Sequence, residues 1–145
     1  HPNANSTASA ALNVIGMFGV CSIGQLAKGL CLSHSAMVRL TEKMELSGWV
    51  SRLVGEDKRV VNLELTENGK THLRDVLDTR LGTLKPIVSK LSATHQKQLE
   101  KILSLLIEDS VNSEMDAVSV CRLCDDAVCP EHDCPAHHKL DSLDS

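Results

Sequence analysis

The sequence has almost no aromatic residues: its 145 residues include one Phe, one Trp and no Tyr. A core must therefore be built from Leu, Val, Ile, Met and Ala, and several of these are good helix formers. No apolar run approaches the length of a membrane span, so a membrane partner is not expected. An excess of positive charge is also missing, because the net charge is −4. Nucleic-acid binding is not excluded, since it depends on a local basic face.

Catalytic patterns are lacking as well. The body of the chain suggests no Cys-His-Asn or Ser-His-Asp arrangement, and we therefore predict that the protein is not an enzyme. The length fits one domain, or one domain with an appendage.

Residues 50–66 have the pattern of a β-hairpin with a cationic end. Apolar residues alternate in 50–54 and again in 61–65, and residues 55–57 supply turn chemistry between them. Arg52, Lys58 and Arg59 lie at or near the predicted tip. Such a hairpin suits a phosphate backbone or a minor groove better than burial, the alternative being a solvated hairpin with ordinary surface charges.

The segments before this hairpin have helical patterns. A helix is predicted from Ser6 to about Met17, and Ser22 with Gln25 has the spacing of a capping box before a short helix that stops at Gly29. A longer helix, capped by Ser33, runs to about Ser47. The order is that of a helix-turn-helix followed by a wing.

The longer helix has a polar face available for recognition. Its apolar stripe is Met37, Leu40 and Met44. This stripe leaves the following side chains away from the core: His34, Ser35, Val38, Arg39, Glu42 and Lys43. Serine can bond bases or phosphate, and arginine can make a bidentate contact to guanine. The alternative is a solvated helix face; beside a charged wing, we favour DNA reading.

Two long amphipathic helices are predicted to follow, capped by Thr66 and Ser92, and Pro86 should kink or locally break the first. Their apolar positions at helical spacing are Leu73, Val76, Leu77, Leu81, Leu84, Ile87, Val88 and Leu91, then Leu99, Ile102, Leu103, Leu106 and Ile107. These stripes pack either within the chain or in a dimer interface. We favour the dimer, because DNA readers of this kind commonly bind two half-sites.

From about Ser6 to Val111 the chain resembles the MarR family of bacterial winged-helix transcription regulators. The matching motifs are Gln25-Leu26-Ala27, the helix start from Ser33 to Leu40, Gly48-Trp49-Val50, and Asp57-x-Arg59 followed by Leu65-Thr66 and Gly69. The resemblance implies a mainly α fold, a winged helix-turn-helix with a two-stranded β-hairpin wing and long C-terminal dimerisation helices. Two features depart from the family: its first helix has no counterpart here, and His34 stands where many members carry Pro.

The resemblance also implies how the protein works. Arg59 would contact DNA from the wing tip, Asp57 would hold that arginine in place, and the helix starting at Ser33 would enter the major groove. Members are usually homodimers, often with a small-molecule or oxidant-sensing site between the DNA-reading and dimer lobes. We therefore expect a cytoplasmic regulator that acts as a repressor and binds a pseudo-palindromic operator in double-stranded DNA. The predicted DNA-binding residues are Ser33, His34, Ser35, Ala36, Val38, Arg39, Lys43, Arg52, Asp57, Lys58 and Arg59.

We predict three regions: residues 1–66 for DNA binding, 67–112 for dimerisation and 113–145 as a cysteine-rich tail. Four of the six cysteines lie in the tail. Cys121, Cys124, Cys129 and Cys134 have the spacing of a zinc knuckle, and thiolates this close select Zn²⁺ or an iron–sulfur cluster. A thiol redox switch and a disordered tail with free thiols are the alternatives. Cys21 and Cys31 are expected to be buried and structural. The competing functions are a zinc-bearing protein-interaction module and a thiol redox protein.

Overall fold

Helices dominate the computed structural model, which describes residues 6–54, 59–125, 127–129 and 133–143. The elements in chain order are α1 (Ser6–Phe18), β1 (Cys21–Ser22), α2 (Ile23–Gly29), α3 (His34–Leu46), β2 (Val50–Val54), β3 (Val61–Leu65), α4 (Glu67–Val88), α5 (Ala93–Ser110), α6 (Glu114–Cys121) and α7 (Pro135–Leu143). None of the helices in the described ranges is long and apolar enough to cross a membrane. The predicted winged helix with two long helices after it is confirmed.

The helix-turn-helix begins at the predicted caps. The Ser22 hydroxyl accepts a hydrogen bond from the Gln25 amide at 3.1 Å, and the Gln25 side chain accepts one from the Ser22 amide at 2.9 Å. This reciprocal capping box satisfies two helix-end donors and fixes the start of α2. Ser33 caps α3 by accepting from the Ala36 amide at 3.2 Å. Gly48, with φ of 70°, reverses the chain after α3 and leads it into the wing.

The wing belongs to a three-stranded antiparallel sheet with strand order β1-β3-β2. Val50 pairs with Leu65 and Val54 with Val61, so the two long strands have the register of a regular hairpin. Strand β1 was not predicted, because two residues are too few to show an alternating pattern. It pairs Cys21 with Leu63, which is fully buried.

Helix α1 is buried on every side along its middle, from Ala8 to Ile15. The sequence predicted one apolar face, but Ser9 and Asn13 are buried as well, with 5% and 3% of their surfaces exposed. The reason is tertiary: α1 contacts α4, β1 and β3, and Asn13 also bonds to the tail. Leu12 and Ile15 are fully buried in the main core.

The start of α4 is fixed to the turn between α3 and β2. The Thr66 hydroxyl donates to the Gly48 carbonyl at 2.6 Å and accepts from the Gly69 amide at 3.0 Å. A Cβ on Gly69 would lie 1.9 Å from the Trp49 carbonyl oxygen, so only glycine allows this approach. The His72 ring stacks on Trp49, with ring centroids 4.0 Å apart. These contacts couple the helix-turn-helix and the wing, together called the reading head below, to the long helix α4.

The two long helices bury little of their apolar surface within the chain. Only Gly69 and Leu77 of α4 are buried, and no residue of α5 is. Helix α4 continues through Pro86 to Val88, so the predicted local break does not end it. The Pro86 nitrogen has no hydrogen to donate to the Gly82 carbonyl, so one helical hydrogen bond is lost only two residues before the helix ends.

The tail contains two helices that the sequence interpretation missed, α6 and α7. They form a small apolar cluster of their own around Val111, Ala117 and Ala136. Helix α6 is capped by Ser113, whose hydroxyl accepts from the Asp116 amide at 3.2 Å. A Ser with Asp three residues later is a recognisable helix start, and it is the signal that would have predicted α6.

Candidate nucleic-acid interface

Helix α3 and its cap present a polar, basic face to solvent. Of the predicted contacts on this helix, Ser33, His34, Ser35, Arg39 and Lys43 are exposed. Because Arg39 and Lys43 are four residues apart, they share one face. With Ala36 they line a shallow groove of about 250 Å³. The helix and its cap therefore expose two cations, two hydroxyl groups and one imidazole.

Three predicted contacts on α3 have additional structural roles. Ser33 Oγ is the helix cap and lies 3.3 Å from Ser35 Oγ. Ala36 is half-buried. Val38 was expected to face away from the core, but it is half-buried and packs against it. The apolar face of α3 is thus wider than the stripe of methionines and leucine indicated, since Thr41 is also fully buried and donates to the Met37 carbonyl.

Arg52 joins the wing to α3 rather than extending freely from the tip. Its Nε lies 2.8 Å from both carboxylate oxygens of Glu45, and its Nη2 lies 2.8 Å from Glu45 Oε2. These hydrogen bonds raise the pKa of Arg52 above its ordinary value. A forked arginine–carboxylate pair has restrictive geometry, so it fixes the angle between wing and helix. Sequence reasoning missed Glu45, because the pairing depends on how α3 and β2 pack.

Arg59 is exposed and lies two residues before β3. This position places it on the side of the sheet where the wing turns. Asp57 and Lys58, which were also predicted to contribute, lie outside the described residues.

A cavity of about 530 Å³ separates the reading head from α4. It is bordered by α1, β3, α4 and the tail, and Lys70 and Arg74 contribute its cationic side chains. Lys70 pairs with Glu67 at 2.6 Å, and Arg74 pairs with Asp125 at 3.0 Å. The cavity is large enough for a small molecule.

The four tail cysteines, Cys121, Cys124, Cys129 and Cys134, lie around a second cavity of about 580 Å³. All four are half-buried. In the part of the chain that the structure describes, no three His, Cys, Asp or Glu side chains already converge as metal ligands do.

The other two cysteines differ from each other. Cys21 is buried as expected, and burial raises the pKa of its thiol. Cys31 is exposed, so the prediction that it is buried was wrong. It occupies a left-handed turn residue, with φ of 55°, between α2 and α3.

Two tail thiols are electrostatically unequal. The hydrogen bond from the Cys121 thiol, helped by the charge of Arg80, lowers the pKa of Cys124 to about 7, although burial opposes this change. The same hydrogen bond, burial and the neighbouring tail thiols raise the pKa of Cys121. Of the two thiols, Cys124 therefore loses its proton first as the pH rises.

Known proteins similar to this chain are transcription regulators. The model described as "MarR family" matches residues 5–61. The transcriptional repressor MprA of Escherichia coli K12 is 34% identical over 95 residues, covering 65% of this chain and 54% of MprA. The HTH-type regulator PecS of Dickeya dadantii is 26% identical over 93 residues, covering 63% and 56%. The chain thus spans about half the length of the curated relatives it matches.

Solved structures show the same fold. A MarR family protein from Bacillus stearothermophilus superposes with a TM-score of 0.66 at 25% identity, covering 75% of this chain and 76% of that one. Wild-type MarR from Escherichia coli superposes with a TM-score of 0.65 at 22% identity, covering 72% of this chain and 79% of that one. FabT of Streptococcus pneumoniae, solved in complex with DNA, superposes with a TM-score of 0.61 at 24% identity. The match covers 68% of this chain and 70% of FabT. MprA and PecS have the names of transcription regulators, which agrees with the prediction that this protein is not an enzyme.

Proposed function

We propose that this chain is a MarR-family regulator, as the family model over residues 5–61 supports, and that it is a homodimeric, sequence-specific DNA-binding transcription regulator that acts as a repressor. In this proposal residues 1–66 read DNA, residues 67–112 form the dimer and residues 113–145 make up a cysteine-rich tail. The regulator works where the DNA is, in the bacterial cytoplasm.

The observation that carries the proposal is the joint presentation of α3 and the wing. The exposed polar face of α3 ends in Arg39 and Lys43, and the Glu45–Arg52 pair holds the wing at a set angle to that helix. A helix and a hairpin held in this way match a major groove and the adjacent backbone or minor groove.

Each residue then has a physical role. Arg39 makes a bidentate contact to a guanine edge, and Ser35 bonds a base or a phosphate. Arg59 contacts the backbone or minor groove from the wing, with Asp57 and Lys58 beside it. Ser33, His34, Ala36, Val38 and Lys43 complete the α3 surface, while Arg52 supports it through Glu45.

Dimerisation is supported by the apolar surface that α4 and α5 leave exposed. Their exposed fractions range from 38% to 59%, and the side chains are Leu81, Leu84, Ile87, Val88, Leu91, Ile102, Leu103, Leu105 and Leu106. Apolar surface of this extent on two helices that follow each other in the chain marks a protein interface. A second copy of the chain is the partner that also explains function, because a two-fold dimer reads two half-sites.

The cavity between the reading head and α4 is the proposed effector site. Its lining carries two cations, Lys70 and Arg74, and two carboxylates, Glu64 and Asp125, so it suits a small polar molecule. A ligand in this cavity contacts both lobes, so it changes the angle between two reading heads and with it the affinity for an operator.

A DNA titration tests the proposal. Fluorescence anisotropy at several fixed salt concentrations compares wild type with Arg39→Ala and Arg59→Ala. Lys97→Ala is the matched control, since it removes one exposed cation from α5, away from the proposed surface. We expect both arginine variants to bind DNA more weakly and the lysine variant to match wild type. Equal affinity of all four proteins would contradict the assignment.

A further inference from the structure

The tail brings four sulfur-bearing side chains to one place. Cys121 ends α6, Cys124 follows within the next turn, and Cys134 directly precedes α7. With Cys129 they line the cavity that also borders Met17 and Phe18 at the end of α1. Residues up to 13 positions apart in sequence are thus gathered between three helices.

The turn that carries the first two thiols is held firmly. The Cys124 amide donates to the Cys121 carbonyl at 2.8 Å. The buried Asn13 amide donates to the Cys124 carbonyl at 2.7 Å and reaches the Cys121 carbonyl at 3.4 Å. From α4, Arg80 donates to the Leu123 carbonyl, and Arg74 pairs with Asp125. Two cysteine side chains are therefore presented from a backbone that is anchored on both sides.

The helix that leads into this turn packs against the helix-turn-helix. A Cβ on Gly29, the last residue of α2, would lie 2.7 Å from Val118 Cγ1 of α6. Val118 is partly buried against the main core. An interaction that holds the C-terminal end of α6 in place therefore also holds the contact between α6 and the reading head.

We propose that Cys121, Cys124, Cys129 and Cys134 bind one Zn²⁺ ion, and that this site fastens α6 and α7 to the reading head. Four thiolates satisfy the tetrahedral preference of zinc and leave no position for a substrate, so the site is structural. Each thiol that enters coordination releases its proton to solvent. Because no described ligands have yet converged, the sulfurs must close to about 2.3 Å from a common centre when zinc binds.

Three measurements on the full chain test the site. Protein purified without added chelator is analysed for metal by elemental analysis. A thiol reagent then counts reactive cysteines before and after a strong chelator is added. Hydrogen exchange follows the amides of α6 in both states. We expect one zinc per chain, four thiols that react only after chelation, and faster exchange in α6 once zinc is removed.

Paired variants supply the control. Cys124→Ser/Cys129→Ser should lose the zinc, whereas Cys31→Ser changes an exposed cysteine in the turn before α3 and should retain it. If the double variant misfolds, the chelation experiment on wild type still tests whether zinc is bound by the four tail thiols. Wild type without zinc whose four tail thiols react at once would overturn the proposal. So would iron with visible absorption that bleaches on reduction, or a mass lowered by disulfide formation. Because none of the readouts involves DNA, failure of the zinc site can be distinguished from failure of the proposed function.

Discussion

Replacing Leu103 and Leu106 of α5 with Asp should split the proposed dimer. These side chains are 48% and 59% exposed in the single chain, so a dimer has about half of each left to bury. Full burial of a leucine contributes about 1.5–3 kcal/mol, and the remaining half therefore contributes about 1 kcal/mol. A two-fold interface contains both residues twice, which gives about 4 kcal/mol, or about a thousandfold in the dissociation constant. Burying carboxylates in their place adds a further cost.

Sedimentation equilibrium over a range of protein concentrations measures this constant directly. The matched control is Lys97→Gln/Lys101→Gln, which changes net charge by the same amount on the opposite face of α5, where both lysines are exposed. The control should remain a dimer, and circular dichroism should show that both variants keep their helices. If the aspartate variant dimerises as tightly as wild type, the interface lies elsewhere.

The remaining predictions concern DNA binding and the contact between the start of α4 and Trp49. Arg59→Ala should weaken binding to all duplexes and reduce the salt dependence by about one phosphate contact, as measured by anisotropy across salt concentrations; an unchanged slope would remove Arg59 from the interface. Arg39→Ala should relax preference at one base pair, at a cost of about 1–3 kcal/mol, in a titration of single-base operator variants. Gly69→Ala should lower the free energy of unfolding by about 1–3 kcal/mol or more in urea, because its Cβ would meet the Trp49 carbonyl at 1.9 Å. Gly82→Ala, on the same helix with open space around it, should instead stabilise by about 0.5–1 kcal/mol; equal losses in both would show that helix packing at Gly69 is not tight.

Local sequence signals predicted the reading head well, because its boundaries are set by neighbouring residues. Ser22, Ser33 and Thr66 each cap the helix that the sequence indicated. The same is true of the wing, where alternation of apolar residues sets the register of β2 and β3. Gly69 belongs to the motif that resembles the MarR family, and its close approach to the Trp49 carbonyl explains why a glycine is needed there.

Features that depend on distant packing were not predictable in this way. Asn13 is a polar residue on an apparently amphipathic helix, and only the fold shows that it bonds to a tail more than 100 residues away. The Glu45–Arg52 pair likewise needs α3 and β2 to be placed side by side. Strand β1 is too short for any pattern to be read, and its pairing comes entirely from β3.

Selection of bound duplexes from a random DNA pool by the purified protein tests the central claim most directly. Sequencing of the retained DNA should reveal a pseudo-palindromic site whose half-sites lie about one helical turn apart, roughly 10 base pairs, as two-fold related recognition helices require. The Arg39→Ala protein should enrich the same site with one position relaxed. Retained DNA with no common sequence, or no retained DNA at all, would contradict the account of α3 and the wing as a sequence-specific reading head.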